Sequence, residues 1–128
     1  MPARRILIVD DEPALLRMMG LYLARVGYQV TSVATTDAAW AAVSTSPGEF
    51  AAAILDATMT GLSTEALALK LLAADGAVSI VVTSGYPVDM TAVEQAGGRR
   101  VGFVLKPFTA ESLTGELRRL IGEKEEGV

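Results

Sequence analysis

The chain contains neither cysteine nor histidine. Together these absences exclude disulfides, zinc sites built on Cys and His, and every histidine-based triad or acid–base relay. Any chemistry must therefore run on carboxylates, hydroxyls, lysine or a hard metal ion. No apolar run approaches the roughly 20 residues of a membrane span, and Arg4, Arg5, Asp10 and Asp11 break up the N-terminus, so no signal peptide is read there. An excess of positive charge is also missing. The formal net charge of −4 argues against a direct nucleic-acid surface. A cytoplasmic protein without membrane association is expected. Internal repeats and low-complexity stretches are absent too.

What is present is an ordinary globular composition. With 128 residues, 51% hydrophobic and 20% charged, the chain suits one domain with one real core. Short aliphatic runs recur: "RILIV" (5–9), "YQVTSV" (28–33), "AAAIL" (51–55), "SIVVT" (79–83) and "VGFVL" (101–105). Each has strand length and polar or glycine boundaries, and the first, third and fourth are apolar at consecutive positions, as in strands covered on both faces. Between them the spacing is helical. Leu15, Met19, Tyr22 and Val26 share one face, as do Leu67, Leu71 and Ala74, and then Leu113, Leu117, Leu120 and Ile121.

Thr36, Ser63 and Thr109 read as N-caps, Pro87 as the start of the fourth helix, and Gly27, Gly76, Gly97 and Gly122 as stops. Five strands alternating with five helices predict an α/β fold, a doubly wound five-stranded parallel sheet with helices on both faces. Residues 4–122 form the expected domain. The remaining 123–128, "EKEEGV", read as a flexible tail or the start of a linker.

The polar residues of interest lie just after the strands. "RILIV" runs directly into Asp10, Asp11 and Glu12, three adjacent acids at the mouth of an apolar core. One acid would suffice to favour a helix start at Pro13. Three repel one another unless a cation sits among them. The third strand ends in Asp56, the fourth in Ser84 and Gly85, the fifth in Lys106 and Pro107. In open parallel sheets ligands bind beyond the carboxyl ends of the strands. The set gathered there holds hard oxygen ligands for Mg²⁺, one ammonium and one hydroxyl, which is what a metal-bound phosphoryl group needs.

The stretches "ILIVDDEP", "AAAILDATMTG", "VVTSGYP" and "FVLKPF" occur in this order, each after a predicted strand. With them the chain resembles the receiver domain of bacterial two-component response regulators, from residue 4 to about 122. The resemblance implies a flavodoxin-like fold and a phosphoryl-accepting switch. It assigns Asp56 as phosphoacceptor, with Mg²⁺ held by Asp11, Asp56 and the Thr58 backbone carbonyl, and by Asp10 through a water. It assigns Lys106, before a cis proline bond, to a phosphoryl oxygen, and makes Ser84 the switch hydroxyl in preference to Thr83, which would point to the other side of its strand. Phe103 would be the switch aromatic, for which plain core packing is the alternative. Thr58 and Tyr86 would set the lifetime of the acyl phosphate.

The implied partners are a histidine kinase or histidine phosphotransfer protein, and then a downstream protein or a second copy, met through the fourth helix, fifth strand and fifth helix. The chemistry the resemblance implies is self-phosphotransfer and auto-dephosphorylation rather than substrate turnover. A stand-alone receiver is expected, with one cut from a longer chain as the alternative.

Some features depart from the family. Thr60 stands where a proline is usual, Gly61 comes at once after it, and "LSTEAL" replaces the usual acidic, Gly-containing turn, so this loop is expected to be pliable. Arg99 and Arg100 could add to a partner surface, and Trp40 is expected at the sheet's edge. Three other readings compete. One is a receiver-like binding module that does not use phosphate. Another is a haloacid-dehalogenase-like phosphohydrolase, whose D-x-D-x-T motif is faintly echoed by residues 56–60. The last is a flavodoxin-like FMN binder.

Overall fold

A computed structural model describes residues 4–59 and 63–122. The expectations for Thr60, Gly61 and the 123–128 tail lie outside the described residues.

The elements alternate as read: β1 (Arg5–Val9), α1 (Pro13–Arg25), β2 (Gln29–Val33), α2 (Thr36–Thr45), β3 (Ala52–Asp56), α3 (Thr64–Ala74), β4 (Ser79–Ser84), α4 (Thr91–Gly97), β5 (Val101–Leu105) and α5 (Ala110–Ile121). All strand pairs are parallel, and the order across the sheet is β2-β1-β3-β4-β5. A parallel pair needs a crossover helix, and these helices cover both faces. Side-chain alternation divides the core accordingly. Ile6, Ile8, Ala52, Ile54, Val81 and Val104 face α1 and α5, packing on Met19, Leu23, Leu113 and Leu117. Leu7, Val9, Ala53, Leu55, Ile80, Val82 and Val101 face α2, α3 and α4, packing on Ala39, Val43, Leu67, Leu71 and Val93. Every residue of β3 and β4 is buried, which explains their unbroken apolar runs.

Several boundaries differ from the sequence reading for local reasons. The N-cap of α2 is Thr35, not Thr36: Thr35 is extended and its hydroxyl oxygen accepts the Ala38 N–H, while Thr36 begins the helix. Helix α1 ends at Arg25, so Val26 is a half-exposed cap residue rather than part of the apolar face. Helix α4 does not start at Pro87. The Asp89 carboxylate accepts the Thr91 N–H and sets the start there. Helix α5 has a reciprocal cap, Thr109 accepting from the Ser112 N–H and Ser112 accepting from the Thr109 N–H. It stops at Gly122, which holds the left-handed φ of 71°.

Arg100 is not a free surface charge. Its guanidinium donates to the carbonyls of Asp75 (2.8 Å), Val78 (2.9 Å) and Leu72 (3.3 Å), tying the start of β5 to the α3–β4 turn. Trp40 packs against the α2–α3 side of the core, with the Lys70 ammonium 4.3 Å over its ring.

Candidate functional site

The order of the sheet reverses at β1, whose neighbours are β2 and β3. A crevice therefore opens between the carboxyl ends of β1 and β3, where the connecting loops diverge. Asp10 directly follows β1, and Asp56 is the last residue of β3, one position further into the strand than the sequence suggested. Asp10, Asp11 and Asp56 each place a carboxylate oxygen within 4.8 Å of the other two. Asp10 and Asp56 are buried, at 1% and 3% exposure, whereas Asp11 is exposed.

Lys106 enters from the end of β5 on the far side of β4. Its Nζ lies 3.4 Å from Asp56 Oδ1 and 3.6 Å from Asp10 Oδ2. The Lys106–Pro107 bond is cis, and the Lys106 N–H donates to the Ser84 carbonyl at 2.7 Å.

The two buried carboxylates, Asp10 and Asp56, are each held by their own loop. Asp10 Oδ1 accepts the Glu12 N–H at 2.9 Å, the turn that launches α1. Glu12 itself is exposed and sits at the N-cap of α1. Asp56 Oδ1 accepts the Thr58 N–H at 3.2 Å, and the Thr58 hydroxyl lies 3.0 Å from both Asp56 oxygens. Among the described residues, Asp10 Oδ2 has no hydrogen-bond donor. A buried carboxylate oxygen left this way is costly unless a positive charge meets it. The pKa of Asp10 is raised, first by burial and then by the charge of Asp56. The Glu12 N–H and the Lys106 ammonium work in the opposite direction. Mutual repulsion is thus the smaller of the two causes that raise it. Three hard carboxylate donors and an orphaned buried oxygen fit a small divalent cation such as Mg²⁺.

Ser84 is the last residue of β4 and fully buried; Thr83, paired in register with Asp56, is buried on the opposite face. Ser84 shares the side of Val82 and of the partly buried Phe103, which lies opposite Val82 in register. The Ser84 hydroxyl oxygen accepts the Tyr86 N–H at 3.2 Å, and the Tyr86 side chain is 55% exposed. One residue of the site escaped sequence reading. Thr64, the first residue of α3, donates its hydroxyl to the Asp56 carbonyl at 2.7 Å. No periodicity or motif signals this, because the adjacent Ser63 already reads as the cap of α3.

Comparison with known proteins agrees with this geometry. The family model described as "Response regulator receiver domain" matches residues 6–118. The C4-dicarboxylate transport transcriptional regulatory protein DctD of Rhizobium meliloti (strain 1021) is 30% identical over 118 residues, covering 91% of this chain and 25% of that protein. The chain spans about a quarter of the length of the curated relatives it matches. Among solved structures, a CheY-like receiver domain protein from Methanospirillum hungatei JF-1 superposes with a TM-score of 0.83 at 24% identity, covering 98% of this chain and 99% of that one. The response regulator TrrA of Thermotoga maritima, solved in complex with Mg²⁺ and BeF, gives a TM-score of 0.79 at 24% identity over 91% of this chain and 98% of its own. The family match sets aside the phosphohydrolase and FMN-binding alternatives. The chain belongs to the response regulator receiver domains, the phosphoryl-accepting switches of two-component signalling.

Proposed function

We propose that residues 4–122 act as a receiver in which Asp56 accepts a phosphoryl group from a phosphohistidine on a histidine kinase or phosphotransfer protein. The observation that carries this reading is the convergence of Asp10, Asp11 and Asp56 with Lys106 beyond the carboxyl ends of β1, β3 and β5. A carboxylate oxygen of Asp56 forms the new O–P bond as the N–P bond of the donor breaks. The imidazole leaves with that electron pair and takes a proton from solvent, and Asp56 becomes an acyl phosphate. Lys106, already 3.4 Å from the acceptor, offsets the charge on the phosphoryl oxygens. Asp11, Asp56 and the Thr58 carbonyl would hold Mg²⁺, with Asp10 acting through a water. When bound, that ion supplies positive charge among carboxylates and phosphoryl oxygens that otherwise repel.

Ser84 is the coupling group of this reading. Its oxygen accepts from Tyr86, which leaves its proton to donate to a phosphoryl oxygen. Drawing Ser84 toward the phosphate opens room on the face it shares with Phe103. This biases a two-state arrangement of α4, β5 and α5, and a bias of about 2–5 kcal/mol inverts a modestly unfavourable equilibrium. Leu105, 48% exposed on the edge strand β5, is an apolar element of the surface so altered. A downstream protein or a second copy would read it. Tyr86 and Thr58, both at the rim of the site, would govern water access and hence the lifetime of the acyl phosphate.

Beryllofluoride binding tests the reading without any donor. In the presence of Mg²⁺ it should shift the amide resonances of Ser84, Phe103 and Lys106, and D56N should abolish the response. Shifts of equal size in D56N would contradict the assignment of Asp56.

A further inference from the structure

Two threonines hold Asp56, and they hold different parts of it. Thr58 grips the carboxylate that would react. Thr64 grips the main chain, its hydroxyl donating to the Asp56 carbonyl at 2.7 Å from eight residues away. That carbonyl belongs to the same planar peptide group as the Ala57 N–H, which donates to the Thr83 carbonyl of β4 at 2.8 Å. The plane is therefore clamped on both sides, by a strand on one and by the first residue of α3 on the other. Rotating it would redirect the chain as it leaves Asp56 and carry Thr58 away from the carboxylate.

Thr64 is 8% exposed, and its hydroxyl is not needed to cap the helix. Ser63 does that, accepting the Ala66 N–H at 3.0 Å. The buried hydroxyl instead serves the strand end. Its bond is to the main chain and leaves both Asp56 carboxylate oxygens untouched.

We infer that Thr64 is a positioning residue for phosphoryl transfer: its bond to the Asp56 carbonyl fixes the peptide between Asp56 and Ala57 and thereby places Thr58 against the acceptor. The inference rests on the reading of Asp56 as phosphoacceptor. The test compares wild type, T64V, T64S and T64A in two ways, at a temperature where each is folded by circular dichroism. The first is the rate of phosphoryl gain from acetyl phosphate at saturating Mg²⁺. The second is the positions of the Ala57 and Thr58 amide resonances in metal-free protein.

Thr64→Val keeps the shape and removes the hydroxyl, and should slow phosphorylation about tenfold, since small misplacements at a reacting centre are amplified in rate. Its Ala57 and Thr58 resonances should move. Thr64→Ser should restore both readouts. A folded T64V with wild-type rate and unmoved resonances, however far its melting temperature falls, would overturn the inference and leave Thr64 a purely structural residue. If T64V does not fold, T64A and T64S differ only in the hydroxyl, and equal rates for that pair would overturn it equally. A wild type that gains no phosphoryl group is a different failure, because it removes the reading of Asp56 itself.

Discussion

Asp10 pays for the site with stability. It is buried, one of its oxygens lacks a donor among the described residues, and its pKa is raised chiefly by burial. A carboxyl group with a raised folded-state pKa binds its proton more tightly in the folded protein than in the unfolded chain. It therefore destabilises the fold at pH values above its folded pKa, and this penalty disappears as pH falls through that value toward the ordinary 3.8. Asp10→Asn keeps an acceptor for the Glu12 N–H and removes the charge. In EDTA at neutral pH it should stabilise the protein by about 1 kcal/mol, raising the melting temperature by about 3–5 °C. The same variant should bind Mg²⁺ more weakly. A lower melting temperature in EDTA would mean that the Asp10–Lys106 attraction outweighs the burial.

Ser84→Ala separates acceptance from response. It should still take a phosphoryl group on Asp56 while losing most of the resonance shift at Phe103. A full Phe103 shift in this variant would show that the aromatic responds to something other than the Ser84 hydroxyl.

Among the elements, α5 and α4 show how differently helix boundaries are recorded in a sequence. Thr109 and Ser112 cap α5 reciprocally, and the Thr109 before an apolar stripe was legible without coordinates. Thr109→Ala should cost about 1 kcal/mol by chemical denaturation, and a loss near zero would mean that α5 is held by packing alone. Helix α4 misled because Pro87 suits a first helical position, yet the Asp89 carboxylate takes the Thr91 N–H and sets the start further on. Propensity at one residue lost to a side-chain bond that no composition reveals.

Strands β3 and β4 were legible nearly to the residue, since continuous burial on both faces leaves an unbroken apolar run. The site was legible for a related reason. A parallel sheet sends every strand end to the same edge, so Asp10, Asp56, Ser84 and Lys106 could be grouped by their position at the end of an apolar run. Thr64 and Arg100 were not legible. Both act by bonding backbone carbonyls distant in sequence, and a carbonyl leaves no mark on residue identity. Arg100→Met, which keeps the aliphatic stem, should destabilise the protein by about 1–3 kcal/mol through the carbonyls it leaves unpaired. Unchanged stability would return Arg100 to a role on a partner surface.

At the scale of the molecule, the sheet is a rigid frame, and the clustered acids are the part that does not balance on its own. The frame places two buried carboxylates, an exposed one, an ammonium and a hydroxyl where strands diverge. On the proposed reading a divalent cation would offset the local excess of negative charge, beside the Lys106 ammonium. No helix among the described residues is long and apolar enough to cross a membrane.

Metal-dependent transfer of a phosphoryl group to Asp56 is read most directly from intact mass. Wild type and Asp56→Asn would each be incubated with acetyl phosphate, with Mg²⁺ and with EDTA. The wild type with Mg²⁺ should gain one phosphoryl group, and no gain should occur with EDTA or in the variant. A folded wild type that stays at its original mass under all conditions would contradict such transfer, and would make the protein a receiver-like binding module that works without phosphate.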